Sequence, residues 1–102
     1  MTNNQKEDTM PDTTNATGFE DMVGEKIFVR TVTYHLVGEV EKVTGNLVHL
    51  VNASWVADSG KFGQMLIQGT IGESDYVGKC AFNANAVTDL FPWVNELPTR
   101  NV

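Results

Sequence analysis

The sequence contains one cysteine, Cys80, among its 102 residues. One cysteine excludes an intrachain disulfide framework and a cysteine-rich zinc site. Cations are also scarce. Seven lysines and arginines stand against thirteen aspartates and glutamates, for a net charge of −6. An acidic chain gains little from counterion release on a phosphate backbone, so composition argues against nucleic acid as a partner. No apolar run approaches the ~18 residues of a membrane-spanning helix, so no membrane association is expected. The opening MTNNQKEDTMPDTTNATG lacks the apolar stretch of a secretory leader, which makes cytoplasmic synthesis the expectation. Neither a glycine-rich phosphate loop nor a nucleophile elbow occurs.

What is present fits one small globular domain: 41% hydrophobic and 20% charged residues. A domain of this size buries a limited core, so assembly with other copies would help it. Residues 1–18 are polar and aperiodic, and they predict a disordered N-terminal arm. The domain itself is expected over 19–98, with a short tail at 99–102. Phe19, Met22 and Val23 anchor a lead-in that Gly24 ends.

From Lys26 the residues favour strand. Read as one strand to Val37, one face carries Ile27, Val29, Thr31, Thr33, His35 and Val37. The other carries Phe28, Arg30, Val32, Tyr34 and Leu36. Neither face is polar throughout, so something must cover the second one. Another subunit is the expected cover, and a helix of the same chain is the alternative. Gly38 marks a bend or bulge. Thr44-Gly45-Asn46 signals a hairpin turn, with Leu47–Val51 as the returning strand. Residues 52–57 are expected to lead out of the sheet. Asp58 or Ser59 would then cap a short helix that Gly69 stops. Phe62, Met65 and Leu66, spaced i, i+3, i+4, would dock it on an open barrel end. Residues 69–79 read as a loop. Residues 80–91 read as strand interrupted near Asn83 to Asn85, and Pro98 discourages pairing in the tail.

Candidate chemistry is thin. His35 and His49 could meet across a sheet, with Glu39 or Glu41 adding a carboxylate. A catalytic zinc usually needs three protein ligands, so surface or interface roles suit them better. Cys80 with a histidine lacks a third orienting group. Arg30 is a charge within an apolar strand, either a snorkelling side chain or an intersubunit salt-bridge partner.

The pattern Gly24-x-x-Ile27-x-Val29, then Gly38-x-Val40, a turn, and Leu47-Val48-x-Leu50-Val51-Asn52-Ala53 resembles the strongly bent sheet of Sm-like small barrels. That resemblance implies a closed ring of subunits joined edge to edge, and RNA binding. A second resemblance covers VGEKIFVRTVTYHLVGEV, ASWVADSGKF and DLFPWVNELP, which look like small proteins encoded among tailed-bacteriophage structural genes. It implies a virion component or assembly factor: capsid decoration, or a head, neck or tail accessory.

These readings converge on a set of expectations. The fold is mainly β, a small strongly bent five-stranded barrel or sandwich with one short helix. The protein is non-enzymatic and needs no cofactor or metal. It assembles with itself and with other virion structural proteins, and it resides in the virion. The interface would use Phe28, Arg30, Val32, Tyr34, His35, Leu36, Trp55 and Trp93. An Sm-like ring that binds RNA is the alternative. Its available charges are Lys26, Arg30, Lys42, Lys61 and Lys79.

Overall fold

The computed structural model describes residues 18–100. The arm expected over 1–18 lies outside them but for Gly18, as do the last two residues of the tail. Five antiparallel strands make one bent sheet: β1 (Lys26–Thr31), β2 (His35–Thr44), β3 (Leu47–Asp58), β4 (Glu73–Asn83) and β5 (Val87–Pro92). Their order across the sheet is β4-β3-β2-β1-β5. One helix, α1 (Phe62–Gln68), joins β3 to β4. This is the mainly β, five-stranded, one-helix architecture that the sequence predicts.

The first correction concerns residues 26–37, which form a hairpin and not one strand. Thr31 turns the chain. Its Oγ1 donates to the Tyr34 carbonyl at 2.8 Å and accepts from the Tyr34 N–H at 3.1 Å. Such local side-chain bonds compete with a continuing strand. The turn resets the alternation of faces. Val29 stands opposite Leu36, and Phe28 opposite Val37. Directly opposed residues share a face. Ile27, Val29, Leu36 and Val40 therefore enter one core, together with Val48, Leu50 and Phe82. Phe28 and Val37 enter a second core with Val56, Met65 and Trp93.

The cover of that second core is the second correction. It comes from the chain itself. Phe62, Met65 and Leu66 of α1 pack there, and so does Leu97 of the tail. Phe28 is fully buried without any partner chain. The helix stops at Gly69 as expected. Gly69 takes a left-handed φ of 76°, and its N–H reaches the Met65 carbonyl at 2.8 Å. Its start differs: Lys61 is the N-cap, without a side-chain bond. The Asp58 carboxylate instead accepts from the Gly60 N–H at 2.9 Å.

The sheet is also longer than the sequence suggests. Residues 52–57 belong to β3, and most of the segment read as the loop 69–79 is β4. Asn52 (φ 51°) and Gly78 (φ 81°) lie where the β3–β4 register shifts. Asparagine and glycine tolerate this backbone, so bulges bend the pair without ending it. Gly38 sits at another register shift, between β2 and β3. A Cβ there would lie 3.1 Å from that of Ala53, so glycine allows the close approach on which the bend depends.

Residues 93–98 form no strand but are tied down firmly. The Trp93 backbone N–H donates to the Lys26 carbonyl at 3.0 Å, and its indole N–H to the Glu96 carbonyl at 3.1 Å. Ser54 Oγ donates to the Pro98 carbonyl at 2.6 Å. Asn95 Nδ2 donates to the Ile67 carbonyl at 3.2 Å, which satisfies a group left open at the helix end.

Candidate nucleic-acid interface

Two chain reversals meet at one end of the sheet. The first is the tight turn between β2 and β3, where Gly45 takes a φ of 59°. The second is the 3-10 turn Ala84–Ala86 between β4 and β5. Leu47 pairs with Asn83, and the Ala84 N–H donates to the Asn46 carbonyl at 2.8 Å. Residues 38 positions apart are thus locked side by side. Asn83 caps its own turn, its Oδ1 accepting from the Asn85 N–H at 2.8 Å. That bond leaves the Asn83 NH2 group as a donor the turn does not use. Asn46, Asn83 and Asn85 are all exposed. Beside them Thr44 Oγ1 and His49 Nε2 are hydrogen-bonded at 2.8 Å.

Below this end the packing is firm. Phe19 and Phe82 meet edge to face with centroids 5.5 Å apart, which gives the turns a rigid base. Lys42, Lys79, Glu41 and His49 border an adjoining hollow of about 320 Å³. The end therefore presents neutral amides and one imidazole, flanked by two ammonium groups and the Glu41 carboxylate. An amide carries donors and acceptors side by side and can match the edge of an unstacked base. In the sequence Asn46 marks a hairpin turn, and Asn83 to Asn85 mark a break in a strand. Two turns carrying Asn, one at 44–46 and one at 83–85, were the signal available.

The expected interface residues fall into two groups. Phe28, Leu36 and Trp93 are at most 5% exposed and belong to the two cores of the chain itself. Their apolar character serves folding, which corrects their placement on an outer surface. Arg30, Val32, Tyr34, His35 and Trp55 retain solvent-facing area. Val32, Tyr34 and His35 lie at the β1–β2 turn, and Trp55 lies opposite Leu36 on β3.

Arg30 has its ion-pair partner within the chain, not across a subunit boundary. It pairs with Asp89 of β5, with Nε to Oδ1 at 2.7 Å and a second bond from Nη2 to Oδ2. Its guanidinium also lies 4.7 Å from the Phe62 ring centroid and 5.6 Å from that of Phe91. Hydrogen bonding to Arg30 holds the Asp89 carboxyl below the usual aspartate range, and the same bond raises Arg30. Burial raises the Cys80 thiol, so this cysteine is not activated as a nucleophile. Among the described residues no group of three or more His, Cys, Asp and Glu is placed to hold a metal.

No protein-family model matches the sequence, and no curated protein matches it. Solved structures do match. A heptameric archaeal Sm protein aligns with a TM-score of 0.54 at 14% identity, over 76% of this chain and 97% of its own. The SmAP1 heptamer of P. aerophilum aligns with a TM-score of 0.56 at 16% identity, over 84% of this chain and all of its own. The fold is the Sm fold. A third match is the Sm protein of Pyrococcus abyssii in complex with a uridine heptamer, with a TM-score of 0.51 at 14% identity. It covers 74% of this chain and 92% of its own.

Two expectations are corrected by these matches. The argument from acidic charge against nucleic acid does not hold for the Sm fold, since one structure with it is solved on a uridine heptamer. Net charge is a property of the whole surface, whereas a base-reading site needs only a local set of donors and acceptors. The assignment to a virion, with virion proteins as partners, is likewise overturned. The three solved structures matched above are Sm proteins.

Proposed function

We propose that this chain is an Sm-like, ring-forming module that binds single-stranded RNA. The observation that carries this reading is the meeting of the 44–47 and 83–87 connections at one end of an Sm-fold sheet, with Asn46, Asn83 and Asn85 exposed there. Two of the solved relatives in fold are heptamers, and one is bound to a uridine heptamer. Neutral amides suit recognition of bases and are poorly suited to moving protons, so a binding role fits the site better than a reaction does. Asn46 and Asn83 would read base edges, with Asn85 shaping the turn. Thr44 would fix the His49 ring, and Lys42 and Lys79 would meet the sugar–phosphate backbone.

Fluorescence anisotropy with labelled single-stranded oligouridine at low salt tests this. The wild-type chain is expected to bind. The triple variant Asn46→Ala, Asn83→Ala, Asn85→Ala is expected to bind at least ten-fold more weakly while still melting cooperatively, its Tm lowered only by loss of the Asn83 cap. A wild-type chain that binds no single-stranded RNA, or a triple variant that binds as tightly as wild type, would end the proposal.

A further inference from the structure

The chain has two histidines, and histidine is the side chain whose charge changes between about pH 5 and 8. One of them, His49, sits within the surface proposed above for RNA. Val48 and Leu50, its neighbours on β3, point into the first core. His49 therefore faces outward from the sheet. Lys42 of β2 stands directly opposite it on one side, and Ala81 of β4 on the other. Lys79 lies two residues from Ala81 and so shares that outer face. Between Val40 and Lys42 the β2–β3 register shifts. The extra residue is Glu41, which the bulge turns outward beside Lys42. Both are exposed, whereas Val40 is buried. Glu41, Lys42, His49 and Lys79 thus gather around one hollow of about 320 Å³.

With a neutral imidazole the hollow carries two ammonium groups and one carboxylate, a net charge of +1. A proton on His49 makes that +2. The local positive charge doubles on a chain whose overall charge is −6. Glu41 offsets the repulsion that two nearby ammonium groups exert on an imidazolium. Thr44 holds the ring in either state. Its Oγ1 lies 2.8 Å from His49 Nε2. A hydroxyl donates to a bare ring nitrogen and accepts from a protonated one, so the ring gains its charge without a change of partner.

We propose that His49 is a third, proton-dependent phosphate contact beside Lys42 and Lys79, so that the chain holds single-stranded RNA more tightly as the pH falls through the histidine range. The inference rests on the RNA-binding reading and gives that site a regulator. Linkage sets the direction. A phosphodiester near an imidazole favours its charged form, so the charged form favours the phosphodiester to the same extent. The gain is complete where the ring is already charged before RNA arrives. It is lost as the pH rises past the point where the bound complex sheds that proton. Phosphodiesters and uracil keep their charge state over this range, so the response belongs to the protein. The other histidine lies elsewhere. His35 pairs with Val56, seven residues beyond His49 on β3, and its ring lies 5.8 Å from that of Phe28.

Anisotropy titrations of the full chain with labelled oligouridine, at pH about 5.5 and about 7.5, test the inference. The wild type is expected to bind about ten-fold more tightly at the lower pH. Its salt slope should steepen there from about −1.4 to about −2.1 per chain, because one more phosphate is neutralised. His49→Gln keeps a hydrogen-bonding side chain but has no titrating charge, and it is expected to lose both responses. His35→Gln is expected to retain both. Calorimetry of wild-type binding at pH about 6.5, in two buffers of different ionisation enthalpy, needs no variant and is expected to show protons taken up with the RNA. Equal affinity at the two pH values, a pH response that survives His49→Gln, or binding without proton uptake overturns the inference and leaves the RNA reading standing. A wild type that binds no oligouridine at either pH removes the RNA reading, and this inference with it.

Discussion

Arg30 was conspicuous in the sequence because a charge inside an apolar strand requires a partner. The partner was not legible, since Asp89 is 59 residues away and reaches Arg30 only through the β1–β5 pairing. In the sequence Asn46 marks a turn and Asn83 to Asn85 a strand break; their convergence is not legible there, because it depends on strands pairing at long range. The Arg30–Asp89 pair has a consequence for acid stability. A carboxylate whose folded-state pKa is depressed adds stability above its unfolded value and loses it as pH falls through the folded one. Wild type and Asp89→Asn should therefore differ most in Tm near neutral pH. The gap should close in acid, below the ordinary aspartate value of 3.8. A gap that stays constant from neutral pH into acid would show that the ion pair adds nothing.

At the scale of elements, sequence patterns located the tight turn at Gly45, the bend at Gly38, the stop at Gly69 and the break near Asn83. Each depends on local backbone chemistry. They misplaced β4, because Gly72 and Gly78 suggest a loop while β3 supplies the pairing that makes a strand. They also ran β1 into β2, because Thr31 favours strand by propensity and ends it here by its hydrogen bonds. The apolar spacing of Phe62, Met65 and Leu66 predicts a helix docked on the sheet, and α1 seals the second core. Met65 is its single fully buried residue. Met65→Ala removes that contact and leaves a cavity, so unfolding should become easier by about 2–5 kcal/mol. Urea titration checks this as a lower midpoint at an unchanged m-value. A loss of a few tenths of a kcal/mol would mean that α1 contributes little to the second core.

For the whole molecule, composition led to a wrong partner and pattern led to the right fold. The bent five-stranded sheet was legible because glycines and alternating apolar residues fix it. The charge of −6 misled because it averages over the whole surface and says nothing about any one local set of donors and acceptors. The same charge shapes how RNA should bind. Among the described residues, the lysines that border the hollow beside the asparagines are Lys42 and Lys79. With ~2 phosphates neutralised per chain, log K for a single strand should fall with log salt at a slope of about −1.4 per chain. Anisotropy titrations across a salt series measure that slope. A much steeper dependence would move the contact to a cationic surface elsewhere.

The strap formed by residues 93–98 also dictates an order of events during synthesis. β1 is made early, yet one of its edges and Phe28 wait for partners made much later: β5, then Trp93. Until then a nascent chain carries an open strand edge and an uncovered aromatic cluster, features that invite association with other chains. The second core therefore closes only once residues 93–98 are available to it.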